Sequence, residues 1–388
     1  MQYKTFMSKP TAWLLAGLLL FSACGQAAPA SSESSASSSA SSAASSVETD
    51  PASTTKSVAE NSLRALPAEE VPPRIAALKG PTAMGLVKLL HDAESGAPTK
   101  DEASAAESDA AAAPTTAVIA PNAEIVSAPD EIIPKVIKKE VDLACVPANL
   151  AAVLYNKTEG KIQVLAVNTL GVLYLTENGD TVHSFADLRG KTIYASGQGA
   201  TPEYVLRYLL SENGLDPDTD VTISWQSEHS AALQALLQDE TAVALLPQPF
   251  VTAAQEKAEN LRIAVDLNEA WNALQAKTTA PSTLITGVLI GQREYIEKNP
   301  HAVQNFLQTY HASIDYVNAH PADAAALIDA YDIVPQTVAE KALPLCNITY
   351  IDGTPMKEGL AAYLHVLFEQ NPKAVGGSEP DDAFYYEP

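Results

Sequence analysis

Ile193-Tyr194-Ala195-Ser196-Gly197-Gln198-Gly199-Ala200-Thr201 reads as a buried strand, a glycine turn and a threonine at the start of a helix. The same order occurs much earlier, in Ile75-Ala76-Ala77-Leu78-Lys79-Gly80-Pro81-Thr82. A second pair of segments echoes in the same way. Val141-Asp142-Leu143-Ala144-Cys145-Val146-Pro147 and Thr241-Ala242-Val243-Ala244-Leu245-Leu246-Pro247 are both short apolar strands that end at proline. Near-continuous apolar runs mark strands covered on both faces, and a glycine turn into a helix is the junction of a parallel βα unit. Two copies of each element predict two similar α/β lobes.

Working outward, β-branched runs alternate with helical patterns from Arg74 onward, as in parallel strands joined by crossover helices. The first group is strand 74–78 with helix 83–90, strand 117–120 with helix 130–138, strand 141–146 with helix 149–155, and strand 162–167. A second comprises strand 191–195 with helix 202–212, strand 221–225 with helix 231–238, and strand 242–246. An apolar strand over 283–290 then leads into helices at 300–319, 321–331 and on to about residue 368. In open α/β sheets a ligand lies beyond the carboxyl ends of the strands. Helix starts at those ends carry unpaired N–H groups and about half a positive charge, so they can hold a polar or anionic group without an arginine.

The chain's beginning has a different character. Lys4 and Lys9 precede an apolar run over 11–21, too short to span a bilayer and suited to a secretory signal. It ends in Leu20-Phe21-Ser22-Ala23-Cys24, which resembles a bacterial lipobox with Phe21 where leucine is usual. We therefore expect a signal peptide over 1–23, lipidation at Cys24, and attachment through acyl chains alone. Residues 24–72, rich in Ser, Ala, Pro and Glu, are expected to form a disordered tether, because they offer too little apolar surface to offset chain entropy. A second biased stretch, 97–114, is expected to be an acidic Ala/Ser insertion in a surface loop.

Composition excludes several classes. The formal charge of −23 leaves no basic stripe to neutralise phosphates, so nucleic acid is not an expected partner. Seven histidines show no ligand spacing, and no metal or cofactor is expected. P-loop and Gly-x-Ser-x-Gly motifs are missing, and no catalytic residue or enzymatic activity is expected. Besides Cys24, only Cys145 and Cys346 remain, both in apolar contexts that favour buried free thiols.

Several segments together resemble bacterial solute-binding proteins of the nitrate/taurine/sulfonate and thiamine-precursor type (SsuA/NMT1-like). They are the stretch from Lys79-Gly80-Pro81-Thr82 to Leu90, that from Glu140-Val141-Asp142-Leu143 to Ala152, Asn168-Thr169-Leu170-Gly171-Val172-Leu173-Tyr174, and Asp187-Leu188-Arg189-Gly190-Lys191-Thr192-Ile193. The resemblance runs from about Pro73 to the C-terminus. It implies a type II periplasmic-binding fold, in which two crossover strands join two α/β lobes, here at 168–174 and 283–290. Lobe 1 would comprise 73–168 and 291–388, and lobe 2 would comprise 169–290. Gly171 and Gly287 suit the hinge. By position in such a fold, Thr82, Met84, Asn149, Thr169, Ser196, Thr201, Gln248 and Thr286 face the ligand. The implied function is that of a monomeric, lipid-anchored component of an ABC importer, passing a small polar or oxyanionic solute to a permease and its ATPase. Two alternatives share the fold: an enzyme like the thiamine-pyrimidine synthases, and a surface sensor without transport.

Overall fold

Strand β1 (Arg74–Leu78) sits inside a sheet, paired in parallel with β2 (Asn122–Val126) on one side and β3 (Leu143–Pro147) on the other. The structure, a computed structural model, describes residues 70–95, 122–279 and 281–387. The expected signal peptide, Cys24, the tether to residue 69, the 97–114 insertion and the 117–120 strand lie outside those residues. β4 (Ile162–Leu170), β10 (Ile285–Gln292) and β11 (Ile348–Ile351) complete this first sheet, in the order β11-β4-β10-β3-β1-β2. Its central strand β10 runs antiparallel to both β3 and β4.

A second sheet contains β5 (Leu173–Asn178), β6 (Thr192–Ser196), β7 (Thr222–Gln226), β8 (Val243–Pro247) and β9 (Leu261–Asp266), in the order β7-β6-β8-β5-β9. β6 is parallel to β7 and β8, whereas β5 is antiparallel to β8 and β9. The stretch β2-β1-β3-β10-β4 of the first sheet therefore matches β7-β6-β8-β5-β9 of the second, position by position and direction by direction. The two echoes in the sequence fall on β1 and β6, and on β3 and β8. Residues 75–78 and the whole of β8 are buried, and each fully buried Ile, Leu or Val contributes roughly 1.5–3 kcal/mol.

Two expectations need correction. The apolar strand expected over 283–290, placed on sequence in the second lobe, pairs along its length within the first sheet. Its register puts Gly287 opposite Pro147 and Thr169, so the chain has already returned before Ile285. In the other direction the passage is short: β4 ends at Leu170 and β5 begins at Leu173. The folded part also starts before residue 73. The Glu70 carboxylate accepts the Ala302 N–H and bonds His301 Nδ1, and the Val71 N–H donates to Asn299 Oδ1. A carboxylate at the first turn of the helix Pro300–Ala319 is favourable and fixes this segment.

Helices cover both sheets. A four-residue turn of helix, α1 (Pro81–Met84), follows β1; α4 (Ala148–Lys157) follows β3; α5 (Thr201–Glu212) follows β6; α6 (His229–Gln238) follows β7; and α7 (Phe250–Lys257) follows β8. Gly80 enters α1 at φ 126°, a conformation side chains other than glycine rarely adopt. Between the sheets, α8 (Leu267–Gln275) meets the long helix α13 (Gly353–Gln370), and Trp271 lies 5.4 Å from Tyr363 and 5.0 Å from Tyr208 of α5. Trp271 and Tyr363 are fully buried, so this seam is dry. Cys145 and Cys346 are both free and buried. Burial pushes the Cys145 thiol up to about 12, which leaves it protonated and unreactive.

Candidate ligand-binding cleft

The carboxyl ends of β1 and β3 in one sheet and β6 and β8 in the other open onto a common cleft. From the first sheet come Leu78, Lys79, Pro81 and Thr82 of the β1–α1 turn, together with Pro147 at the end of β3. Thr169 and Thr286 reach it from β4 and β10. The opposite wall is made by Val172, Leu173, Thr201, Pro202, His229 and Pro247. Strand-to-helix turns supply most of these positions because the parallel strands of each sheet end here.

Four of the residues expected to face the ligand are brought together: Thr82, Thr169, Thr201 and Thr286. Each hydroxyl has a defined partner. Thr82 Oγ1 donates to the Leu78 carbonyl at 2.8 Å, Thr201 Oγ1 to Asn149 Oδ1 at 3.1 Å, Thr169 Oγ1 to Asn168 Oδ1 at 3.1 Å, and Thr286 Oγ1 to the Leu170 carbonyl.

The other four lie behind the wall. Met84 is fully buried among the apolar side chains under the first sheet, because the short helix turns it inward. Asn149 is also fully buried, and its amide is consumed by protein: Nδ2 donates to the carbonyls of Ala374 at 3.0 Å and Gly199 at 3.4 Å, while Oδ1 accepts from Thr201. It joins the two sides directly instead of through a solute. Gln248 Oε1 accepts from the backbone and hydroxyl of Thr252, which ties Gln248 to the first turn of α7. Ser196, 2% exposed, bonds to His229.

His229 is the cleft residue that sequence reasoning missed. Its Nδ1 lies 2.6 Å from Ser196 Oγ and its ring packs on Phe250 at 5.1 Å. Part of the side chain remains exposed, yet the ring is enclosed between these neighbours. Burial pulls its pKa from the ordinary 6.5 down to about 4, against a smaller opposing effect of Glu228, so the imidazole is neutral at physiological pH. The signal that could have found it is its place at the first residue of the helix after β7, since isolated spacing rules are blind to it.

The glycines expected at the hinge are positions of close approach. A Cβ on Gly287 would lie 2.5 Å from both Asn168 Oδ1 and Thr82 Cγ2, at the floor of the cleft and in the interior of a doubly paired strand. On Gly171 it would collide with the side chain of Asn268, the second residue of α8. Gly171 does lie where the chain changes sheets. Gly287 does not.

Comparison with known families places this architecture. A family model described as NMT1/THI5 like matches residues 131–324, from α3 (Pro129–Ile137) through the second sheet and into the C-terminal helices. The chain belongs to the NMT1/THI5-like family. Among solved structures, this NMT1/THI5-like chain is similar to an ABC transporter protein from Parabacteroides distasonis, at 24% identity over 82% of this chain and 99% of that one, with a TM-score of 0.62. It is also similar to the periplasmic aliphatic sulphonate binding protein SsuA from Escherichia coli, at 17% identity over 83% and 93% of the two chains, TM-score 0.59. The alkanesulfonate-binding protein SsuA from Xanthomonas axonopodis pv. citri, bound to MOPS, gives 15% identity over 82% and 96%, TM-score 0.58. These likenesses give the NMT1/THI5-like chain the type II periplasmic-binding-protein fold. A search of curated proteins finds no match. No helix among the described residues is long and apolar enough to cross a membrane.

Proposed function

We propose that this chain is the extracytoplasmic solute-binding component of an ABC importer, capturing one small organic molecule in the cleft between its two sheets and presenting it to a permease and its ATPase. The observation that carries the reading is that both walls of the cleft come from corresponding strand ends of two equivalent sheets. Such a site surrounds a ligand only when both halves meet around it, which suits capture and release. In the same reading, residues 1–23 are a signal peptide, Cys24 carries the lipid anchor, 24–69 form the tether, and the monomer is the working unit. Lobe 1 carries the first sheet, β10 included, and lobe 2 carries 172–284.

Binding without turnover is favoured over enzymatic activity by the structural neighbours, which are binding proteins. The chemistry of the cleft agrees. The pair Ser196–His229 has the spacing of a nucleophile and its base, but catalysis needs the base oriented by a third group, and among the described residues the ring's other contact is the tilted ring of Phe250. The direct test is native mass spectrometry of the protein purified gently from its own source. We expect one small molecule per chain, released unchanged on denaturation; a chain that is empty when isolated from cells growing on every available nutrient, or that releases a converted product, overturns the reading. Cys24→Ala is expected to move the protein from the membrane fraction to the soluble extracytoplasmic fraction, and unchanged membrane retention removes the anchor from the proposal.

A further inference from the structure

The two faces of the sheets are joined across the cleft in unequal ways. On one face, Ala76 and Ala144 of the first sheet and Ile193 and Val243 of the second belong to a single hydrophobic core, which runs through Tyr208, Trp271 and Tyr363. On the other face the cores are separate. Ile75, Leu143 and Leu289 pack with helices of the first lobe, whereas Ala244 and Leu246 pack with Leu233 of α6 and Val251 of α7 in the second. Among the described residues, the half-buried Ala253 of α7 is the apolar side chain that packs against both.

Polar bonds between the lobes follow the same division. On the face with the shared core, Asn149 of α4 accepts from Thr201 at 3.1 Å and donates to the Gly199 carbonyl at 3.4 Å, and both Asn149 and Thr201 are fully buried. At the crossover itself, Asn347 Nδ2 donates to the Gly171 carbonyl at 2.6 Å. On the divided face the link is an ion pair: Lys341 Nζ of α12 (Gln336–Ala342) lies 2.7 Å from Glu256 Oε1 of α7, with the two side chains 66% and 30% exposed. Parting rings as large as Trp271 and Tyr363 would expose apolar surface to water, whereas solvent and salt readily replace the partner of an exposed charge. The divided face is therefore the weaker one. It also adjoins the cleft, since His229 packs on Phe250, the first residue of α7, and Lys79 is paired with Asp332 in the turn before α12.

We propose that the cleft opens on one flank only: the lobes swing about the shared core, the solute enters between α7 and α12, and Lys341 and Glu256 form the clasp that closes this entrance. An exposed ion pair contributes little to stability and weakens with salt, which suits an entrance that opens and shuts repeatedly. Neither residue lines the cleft. Both are positioning residues, acting on the solute through the placement of the lobes. Entry of a solute rests on the solute-binding reading above, whereas the one-sided opening rests on the unequal faces alone.

Distances between paired spin labels on the ligand-stripped full chain, carrying Cys24→Ala, read this motion with no solute present. Cys145 and Cys346 are buried, so the labels attach to introduced cysteines. Gln255→Cys with Thr337→Cys spans the clasp, and Ser211→Cys with His365→Cys spans the shared core beside Tyr208 and Tyr363; all four positions are exposed. Lys341→Glu and Glu256→Lys each set like charges face to face, and each is expected to lengthen the clasp distance by about 5 Å or more, while the distance across the shared core stays within about 2 Å. Combining the two reversals restores the pair with its charges exchanged and is expected to bring the clasp distance back. A clasp distance that either single reversal leaves unchanged, a double variant that stays wide, or a core distance that lengthens as far as the clasp overturns the inference. Each of these results leaves the solute-binding reading intact, since that reading stands or falls on the molecule retained in the native mass spectrum.

Discussion

Two regions lie between the sheets, and they are built on opposite principles. The seam formed by Trp271, Tyr208 and Tyr363 is dry: Trp271 Nε1 donates to the carbonyl and hydroxyl of Ser282 at 3.2 Å, Gln275 Nε2 donates to Tyr208 Oη at 3.1 Å, and the rings pack against one another. In the cleft, the hydroxyls of Thr82, Thr169, Thr201 and Thr286 donate to Leu78, Asn168, Asn149 and Leu170, and Pro81, Pro147, Pro202 and Pro247 stand among the lining residues. One region binds the chain to itself, and the other leaves a cleft between the sheets. Asn149 marks the border, since its amide reaches Thr201 on the cleft wall and Ala374 on the α13 side. Substitutions in the seam should therefore register in stability, and substitutions in the cleft in affinity.

The largest effect is expected at Trp271→Ala, which removes a fully buried indole and opens a void, at a cost of about 3–5 kcal/mol in unfolding free energy measured by denaturant titration. A loss below about 1 kcal/mol would show that the seam is not packed as a core. At the border, Asn149→Ala leaves the carbonyls of Ala374 and Gly199 without their donor and should cost about 1–3 kcal/mol. A melting temperature equal to the wild type, combined with weaker ligand binding, would instead return Asn149 to the cleft.

Comparing the two regions also shows what a sequence discloses. The strand-turn-helix echoes were legible because glycine at Gly80, Gly197 and Gly199 supplies positive φ where the turn demands it, at +126°, +81° and +75°. The buried strands β3 and β8 announced themselves by uninterrupted apolar residues. Sheet membership is another matter. β10 is visibly a strand, but nothing within Ile285–Gln292 says that it inserts between β3 and β4, because pairing partners are far away in sequence. β5 and β9 were missed for a local reason: Glu177 and Arg262 interrupt their apolar patterns, where the buried Glu177 carboxylate is paired with the half-buried Arg262 and both bond the backbone of Val182. The four threonines expected from position in the fold line the cleft, whereas Asn149 and Gln248 face protein partners, which position alone does not reveal. His229 stayed hidden because a single histidine has no pattern to read.

Smaller effects sharpen the contrast from the cleft side. Gly287→Ala forces a methyl group against Asn168 and Thr82 and is expected to cost about 1–3 kcal/mol, with ligand affinity falling further than Trp271→Ala makes it fall. If affinity is unchanged, the strand does not form the cleft floor. The pH response should carry the mark of His229. Its folded pKa of about 4 lies below the ordinary 6.5, so above pH 6.5 the ring is neutral in both states and carries no penalty. Between pH 6.5 and 4 the unfolded chain takes up a proton that the folded ring refuses, and stability falls with falling pH. His229→Gln should flatten that part of the melting-temperature profile. An identical slope in the variant would place the proton uptake elsewhere.

Two-sided capture is tested most directly by the dissociation constant of the solute recovered from the native protein, measured by calorimetry for Thr82→Val and Thr201→Val, one variant from each wall. Each removes one hydroxyl, with its bond to Leu78 or Asn149, while keeping the side chain's shape, and each should weaken binding by about tenfold. If either variant binds as tightly as the wild type while the other loses affinity, the solute is held by one wall alone and the cleft between the sheets is not a shared site.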